Sequence, residues 1–346
     1  MLTHAIADAI QVPGAPAVPG LVFRQFRGEA DFPEMMRVLA ASEAADGNER
    51  IVTLGEIRNT YAHLPTTDPA RDILLAEVAG RLAAYGRVET LREPGGPQLY
   101  NHFAMIDPAW RRRGLGRAML AWFQNRLREM AAAQDAAGQP ADAPRFFQTF
   151  TSDQAPGTEA LLQKAGYTAV RFGYLMVRPD LEAIPDFPLP EGLEVRPVRP
   201  EHYRAIWDAN TEAFRDHWGF VEPTEADYDS WLNDPVTFTP ELWQIAWDPA
   251  TGQVAGQVKG FIHPAENERF GRRRGWCEFI SVRRPWRQRG LARALIARTL
   301  RVFKEQGMTE AALGVDTQNL SGALRVYEAC GFRPVKRSAT YRKPMT

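Results

Sequence analysis

The chain contains one segment twice. Residues 111–120 read RRRGLGRAML and residues 287–296 read RQRGLARALI, with six of ten positions identical. The flanks repeat as well. Leu21–Arg27 (LVFRQFR) resembles Leu193–Arg199 (LEVRPVR), and AGY at Ala165–Tyr167 answers CGF at Cys330–Phe332. Matches this far apart require two copies of one domain design and exclude a single fold spread over the whole chain. The length of 346 residues agrees with two domains. The expected layout is a tail at 1–20, a first domain at 21–178, a proline-rich linker at 179–192 and a second domain at 193–346. Each copy then has about 155 residues, an ordinary domain size. The four prolines of PDLEAIPDFPLPEG suit a stiff, extended linker.

Periodicity gives each copy the same element order: strand, two helices, three strands, helix, strand, helix, strand. That order predicts an α/β protein with a mixed sheet. Leu291, Leu295, Ile296, Leu300 and Phe303 fall on one helical face, and Gly307 stops the helix. Leu115, Met119, Leu120, Phe123, Leu127 and Met130 do the same in the first copy. Trp276–Val282 reads as a strand ended by Pro285. Regular alternation would put Trp276, Glu278, Ile280 and Val282 on one side of it.

The duplicated segment joins a strand to a helix. Gly114 and Gly290 open that helix, where N–H groups are unpaired and the dipole is positive. Glycine lets a bulky anion approach such backbone closely. Gly116 and Ala292 keep the first turn free of bulk, and Leu291 follows the second glycine. Arg111, Arg112 and Arg113, matched by Arg287, Gln288 and Arg289, line the rim. A tight turn with solvated arginines would read the same way once. Two copies in matching contexts argue for a phosphate site. The loop has no G-K-[ST] and no G-x-G-x-x-G, so neither nucleotide fingerprint applies.

R-x-x-G-x-[GA] before an amphipathic helix resembles the acetyl-CoA signature of the GNAT superfamily of N-acetyltransferases. NLSGALRVYEACGF, from Asn319 to Phe332, resembles that superfamily's second motif. The resemblance covers nearly all of Leu193–Met345 and, less fully, Leu21–Arg178. It implies two tandem GNAT-like acyl-CoA N-acyltransferase domains that use acetyl-CoA as acyl donor, need no metal and transfer directly to an amine. It implies a strand splayed from its neighbour, with Ile280, Ser281 and Val282 facing the pantetheine and thioester. Glu278 would then be the base, Tyr327 the proton donor to the leaving thiolate, and Asn319 a partner of the pantetheine arm. Asp216, His217, Trp218 and Trp276 would border the acceptor. In the first copy, counting without gaps puts Leu162 at the Tyr327 position, Gln154 at Asn319, His102 at Glu278 and Tyr100 at Trp276. Leucine donates no proton, so the first domain is expected to be degenerate, with His102 as its one candidate base.

The remaining features mostly exclude. Forty-two basic and 42 acidic residues cancel, leaving no field for nucleic acid. Cys277 and Cys330 form no disulfide framework and read as packing residues in a reducing compartment. Residues 1–20 lack the basic start of a secretory signal, and no apolar run spans a membrane. A cytoplasmic protein is expected, monomeric or homodimeric. His263 with Glu266–Glu268 lacks metal-ligand spacing. The acceptor stays open among small-molecule and peptide amines, including thiol-precursor amines, aminoglycosides, polyamines, amino acids and protein N-termini. The rival expectation is an acyl-CoA-binding sensor without useful catalysis.

Overall fold

Alternating and amphipathic segments build the same design twice in the computed structural model, which describes residues 9–138, 143–319 and 322–345. Leu320 and Ser321, within the second motif, and the first eight residues of the tail lie outside the described residues.

The first repeat runs β1 (Leu21–Gln25), α1 (Phe32–Ala45), α2 (Leu54–Ala62), a single turn α3 (Pro69–Asp72), β2 (Ile73–Val78), β3 (Arg81–Arg92), β4 (Gln98–Ile106), α4 (Leu115–Ala136), β5 (Arg145–Ser152), α5 (Pro156–Lys164) and β6 (Thr168–Arg178). The second runs β7 (Glu194–Val195), α6 (Tyr203–Phe214), α7 (Glu225–Leu232), β8 (Gln244–Asp248), β9 (Gln253–Ile262), α8 (Pro264–Phe270), β10 (Arg274–Val282), α9 (Leu291–Glu305), β11 (Glu310–Asp316), α10 (Ala323–Ala329) and β12 (Arg333–Pro344). The expected order holds apart from the short helices α3 and α8. α2 and α7 each begin with a capping box, Thr53 with Glu56 and Thr224 with Asp227. Both long helices after the duplicated loops begin at a left-handed glycine, Gly114 (φ 93°) and Gly290 (φ 83°).

The compact units do not end where the repeats end. Unit 1 holds the chain to Val170 together with Ala339 onward, and unit 2 holds Arg171–Ser338. Each unit therefore completes its sheet with a strand segment from the other repeat. In unit 1 the strand order is β1-β2-β3-β4-β5, then the far end of β12. There Tyr341 donates a hydrogen bond to Glu159 (2.8 Å) and Arg342 donates to Gln148 (2.7 Å). In unit 2 the order is β6-β11-β10-β9-β8-β7, with Ala311–Asp316 of β11 antiparallel to Gly173–Arg178 of β6.

Residues 179–192 are not a free spacer. They belong to unit 2, where Leu181 is buried and Ile184, Phe187 and Leu189 pack on the core beneath α9. Apolar side chains set between the prolines drive this docking. Arg289 and Arg301 fasten the segment by donating to the Glu191 carbonyl (3.0 Å) and the Asp186 carboxylate (2.8 Å). Val12, with Ile10 and Val18, packs on unit 1 in the same way.

In unit 2 each sheet face has its own core. One face packs against α6 and α7 through Ile206, Ala209, Trp231, Trp243 and Ile245. The other packs against α9 and α10 through Cys277, Leu295, Leu300, Phe303 and Tyr327. Gly275 admits the Phe303 ring, since a Cβ there would come within 2.5 Å of it. Among the described residues no helix is long and apolar enough to cross a membrane.

Candidate active site

β10 carries the site, and two irregularities shape it. On one side it pairs in parallel with β11 only from Arg274 to Trp276. Beyond Trp276 the two strands part, leaving the rest of β10 unpaired along that edge. On the other side its ladder with β9 shifts register between Glu278 and Ser281. Phe279 takes φ 47°, one of four non-glycine residues with positive φ among the described residues. This is a β-bulge: Phe279 and Ile280 fill a place where β9 has only Val258 between the paired Gln257 and Lys259.

The bulge corrects the expected alternation. Glu278 lies opposite Lys259, and Ser281 lies opposite Gln257. Both therefore sit on the α6–α7 face, where Gln257 and Ser281 donate to Asn210 of α6 (2.7 and 3.3 Å). Trp276 shares that face and stacks on Phe261. Ile280 and Val282 turn the other way and pack with Cys277 on the α9–α10 core. Glu278 thus does not share a side with Ile280 and Val282.

The first repeat has no such bulge, and this corrects the gapless alignment. β3 and β4 pair without interruption from Ala84–Ile106 to Arg92–Gln98. His102 lies opposite Val88 just as Cys277 lies opposite Gly260, so His102 is the counterpart of Cys277. Phe103, opposite Arg87, stands where Glu278 stands. His102 is buried, stacks on Phe123 and is hydrogen-bonded to the Tyr167 hydroxyl (2.8 Å). Burial pushes its pKa down to about 3, so it stays neutral.

Glu278 is half-buried. Burial pushes its carboxyl up to about 7, against the opposing pull of the Phe279 N–H and Lys259. Tyr327, on α10, is 7% exposed, and burial raises its phenol well above the ordinary value; Cys277 and Glu278 add to the effect. Tyr327 and Leu162 take matching positions. The Phe332 N–H donates to the Tyr327 carbonyl and the Tyr167 N–H to the Leu162 carbonyl, both at 3.0 Å. Cys277 and Cys330 are both buried in the core.

The two phosphate-loop candidates share one backbone shape. Arg112 and Gln288 have φ 63° and 62°, each two residues before its left-handed glycine. Arg112, Arg113, Gln288 and Arg289 are exposed, and the Arg113 guanidinium lies over the Trp110 ring. Leu291 is buried in the core, and Gly116 and Ala292 are half-buried in the first turn. Arg111 and Arg287 turn inward instead. Arg287 donates to the Val282 carbonyl (2.9 Å) and to Asp216 (2.6 Å). Arg111 donates to the Ile106 carbonyl (3.3 Å) and to Asp46 (2.9 Å). The first arginine of each motif therefore ties its loop to the end of the first helix of its repeat, a role that rim charge alone did not suggest.

The Asp216 carboxylate is held by Arg284 and Arg287, which keep it well below the usual carboxylate range. His217 stacks on Phe214, and burial lowers its pKa. Trp218 is exposed and covered by Arg171, which also pairs with Asp316 at the end of β11. Asn319 closes the turn after β11: its N–H donates to the Asp316 carbonyl, and its own carbonyl accepts from Gly322. Gln154, its counterpart, donates to the Asp46 carbonyl (2.8 Å). Among the described residues no group of three His, Cys, Asp or Glu could hold a metal.

The chain is 28% identical over 321 residues to the mycothiol acetyltransferase of Salinispora arenicola, covering 90% of this chain and 94% of that protein. It is 28% identical over 309 residues to that of Geodermatophilus obscurus, covering 86% and 89%. Among solved structures, a GCN5-related N-acetyltransferase from Sphaerobacter thermophilus superposes with a TM-score of 0.69 at 26% identity, over 94% of this chain and 96% of that one. A tandem GNAT protein from the clavulanic acid biosynthesis pathway shares the fold, with a TM-score of 0.67 at 17% identity over 94% and 99%. The acetyltransferase (GNAT) family pattern matches residues 38–147 and again 203–332. With the family matched once in each repeat, over most of the chain, the protein belongs to the GNAT acetyltransferases.

Proposed function

We propose that this enzyme transfers the acetyl group of acetyl-CoA to a primary amine, and that the reaction runs in unit 2. One observation carries the reading: where β10 parts from β11, Glu278 stands on the α6–α7 face and Tyr327 on the α9–α10 face. An acetyl thioester in that opening would meet an acceptor from one side and its own leaving group's proton donor from the other.

The steps follow from the chemistry. The acceptor arrives as an ammonium and must lose a proton, which Glu278 accepts directly or through a water. The free amine attacks the acetyl carbonyl, and the carbonyl oxygen gains negative charge. Backbone N–H groups where β10 leaves its regular ladder would serve as donors for that oxyanion, that of Ile280 before that of Phe279, which already faces the Glu278 carboxyl. The C–S bond then breaks, the Tyr327 hydroxyl protonates the departing thiolate, and the surplus proton on the new amide nitrogen passes to the Tyr327 phenolate, directly or through a water. The Gly290 loop and the start of α9, with Gln288 and Arg289 at the rim, would hold the pyrophosphate. The similarity to mycothiol acetyltransferases makes the amine of a mycothiol precursor the first acceptor to test.

Unit 1 has Leu162 for Tyr327, Phe103 for Glu278 and an unbulged strand, so it serves as scaffold in this reading. Acceptor-dependent release of coenzyme A tests the proposal. Glu278→Gln is expected to lose about a hundredfold or more in kcat, and Tyr327→Phe about tenfold to a hundredfold. Wild-type rates in both variants would refute the assignment. No release from wild type with any amine would favour an acyl-CoA sensor.

A further inference from the structure

Directly across the β9–β10 ladder from Glu278 stands Lys259, and nothing in the sequence motifs draws attention to it. It is 2% exposed, and its ammonium has no hydrogen-bond partner among the described residues. A buried, unpartnered amine is expensive to keep charged: burial pushes its pKa down to about 7, against the opposing pull of Glu278, so its surroundings matter. Its Nζ lies 4.4 Å from the centre of the Trp231 ring, 4.3 Å from that of Phe279 and 5.7 Å from that of Trp243. Three aromatic faces thus hold a cation that no carboxylate touches among the described residues. One of those faces belongs to Phe279, the bulge residue beside Glu278.

Unit 1 has a related arrangement, in which the cation pairs with Glu89 on its own strand (3.8 Å) and faces no acid across the ladder. Arg87, at the matching place on β3, lies over Tyr61 (5.6 Å) and Phe103 (5.0 Å), and Phe103 occupies the Glu278 register. Only in unit 2 does the caged cation face a carboxylate across the ladder.

We propose that Lys259 is a positioning residue for Glu278: its caged ammonium is the counter-charge that favours the ionised Glu278 carboxylate, and so favours its taking the acceptor's proton. This rests on the assignment of Glu278 as base. Directly opposed residues in an antiparallel ladder have Cβ atoms about 4.5–5.5 Å apart, close enough for strong coupling where water is excluded. The other titratable groups around Glu278 are Tyr327 on α10 and Cys277 on its own strand, both neutral near pH 7. α6 and α7 contribute the uncharged Asn210 and Trp231. Arg274, at the start of the strand, is engaged by Glu310 on β11. Lys259 is therefore the one cation left to stabilise the carboxylate among the described residues around it. The aromatic cage keeps that charge in place without a hydrogen bond that would draw it elsewhere.

The test is the pH dependence of kcat/KM for the acceptor in Lys259→Met, with Lys259→Arg and Glu278→Gln alongside. Loss of the counter-charge should move the limb at which Glu278 ionises to higher pH by about one to two units. The variant would then be about ten- to a hundredfold slower below the wild-type limb and recover at alkaline pH. Lys259→Arg, which keeps the charge, should restore the wild-type limb. Thermal unfolding should show Lys259→Met at least as stable as wild type, because it replaces a buried amine by an apolar chain of similar length. An unmoved limb in Lys259→Met, or a loss of rate uniform in pH, overturns the role of Lys259. A fully active Glu278→Gln overturns the base assignment instead, whatever Lys259→Met does.

Discussion

At the residue scale, the proposed site depends on charges held in partly buried surroundings. Glu278, with its carboxyl raised to about 7, passes from acid to carboxylate across neutral pH. A base must be ionised to act, so the wild-type rate should climb as pH rises through about 7, and a flat profile between pH 6 and 8 would speak against Glu278 as the base. The places of Glu278 on the strand before the loop, of Tyr327 on the last helix and of the two glycines at helix starts were legible as sequence; their roles are those proposed above. Lys259 was not legible, since a lone lysine in a strand looks like any solvated cation until the ladder places it across from an acid and under three rings. Arg111 and Arg287 were half legible. Their charge suggested phosphate, but their guanidinium groups bind a carbonyl and an aspartate within the fold.

At the element scale, the bulge in β10 decides which side chains meet which substrate. Side chains alternate along a strand, so one inserted residue moves every following position to the other face. No glycine or proline marks the insertion. Phe279 adopts φ 47° instead, at a strain of about 1–3 kcal/mol that the surrounding packing must hold. This is why the alternation from Trp276 to Val282 and the pairing of His102 with Glu278 were misread from sequence, while Trp276 and Glu278, both before the insertion, were placed on one face correctly. Deleting Phe279 should restore the regular ladder of unit 1, leaving Glu278 opposite Lys259 but removing the bulge backbone and the ring beside it. Such a variant should still fold and bind acetyl-CoA, yet lose about a hundredfold or more in turnover. Retention of wild-type turnover would mean that the bulge backbone takes no part in the reaction.

At the scale of the whole molecule, the repeat was legible and the division of the chain was not. Both duplicated loops, the element order and the position of the two long helices follow from the sequence. The crossing of strands does not, because β6 and β12 read as ordinary last strands and nothing local says which sheet receives them. Unit 1 depends on Ala339–Pro344 for its final strand segment, where Tyr341 is buried and Arg342 reaches Gln148. Removing residues 339–346 should therefore destabilise unit 1, at the opposite end of the sequence, by several kcal/mol. Hydrogen exchange would show it as lost protection in β5, whose edge the segment covers. Protection lost only in unit 2 would contradict the exchange.

The claim that chemistry resides in the second repeat can be tested on the two loops directly. Gly114 and Gly290 have the same left-handed backbone, so valine strains both comparably and blocks the approach of a phosphate at each. The measurement is kcat/KM for acetyl-CoA in Gly290→Val and Gly114→Val, with unfolding followed in parallel. The expected result is a loss of tenfold or more in Gly290→Val and a change within about twofold in Gly114→Val. The reverse pattern would move the reaction to the first repeat and contradict the account.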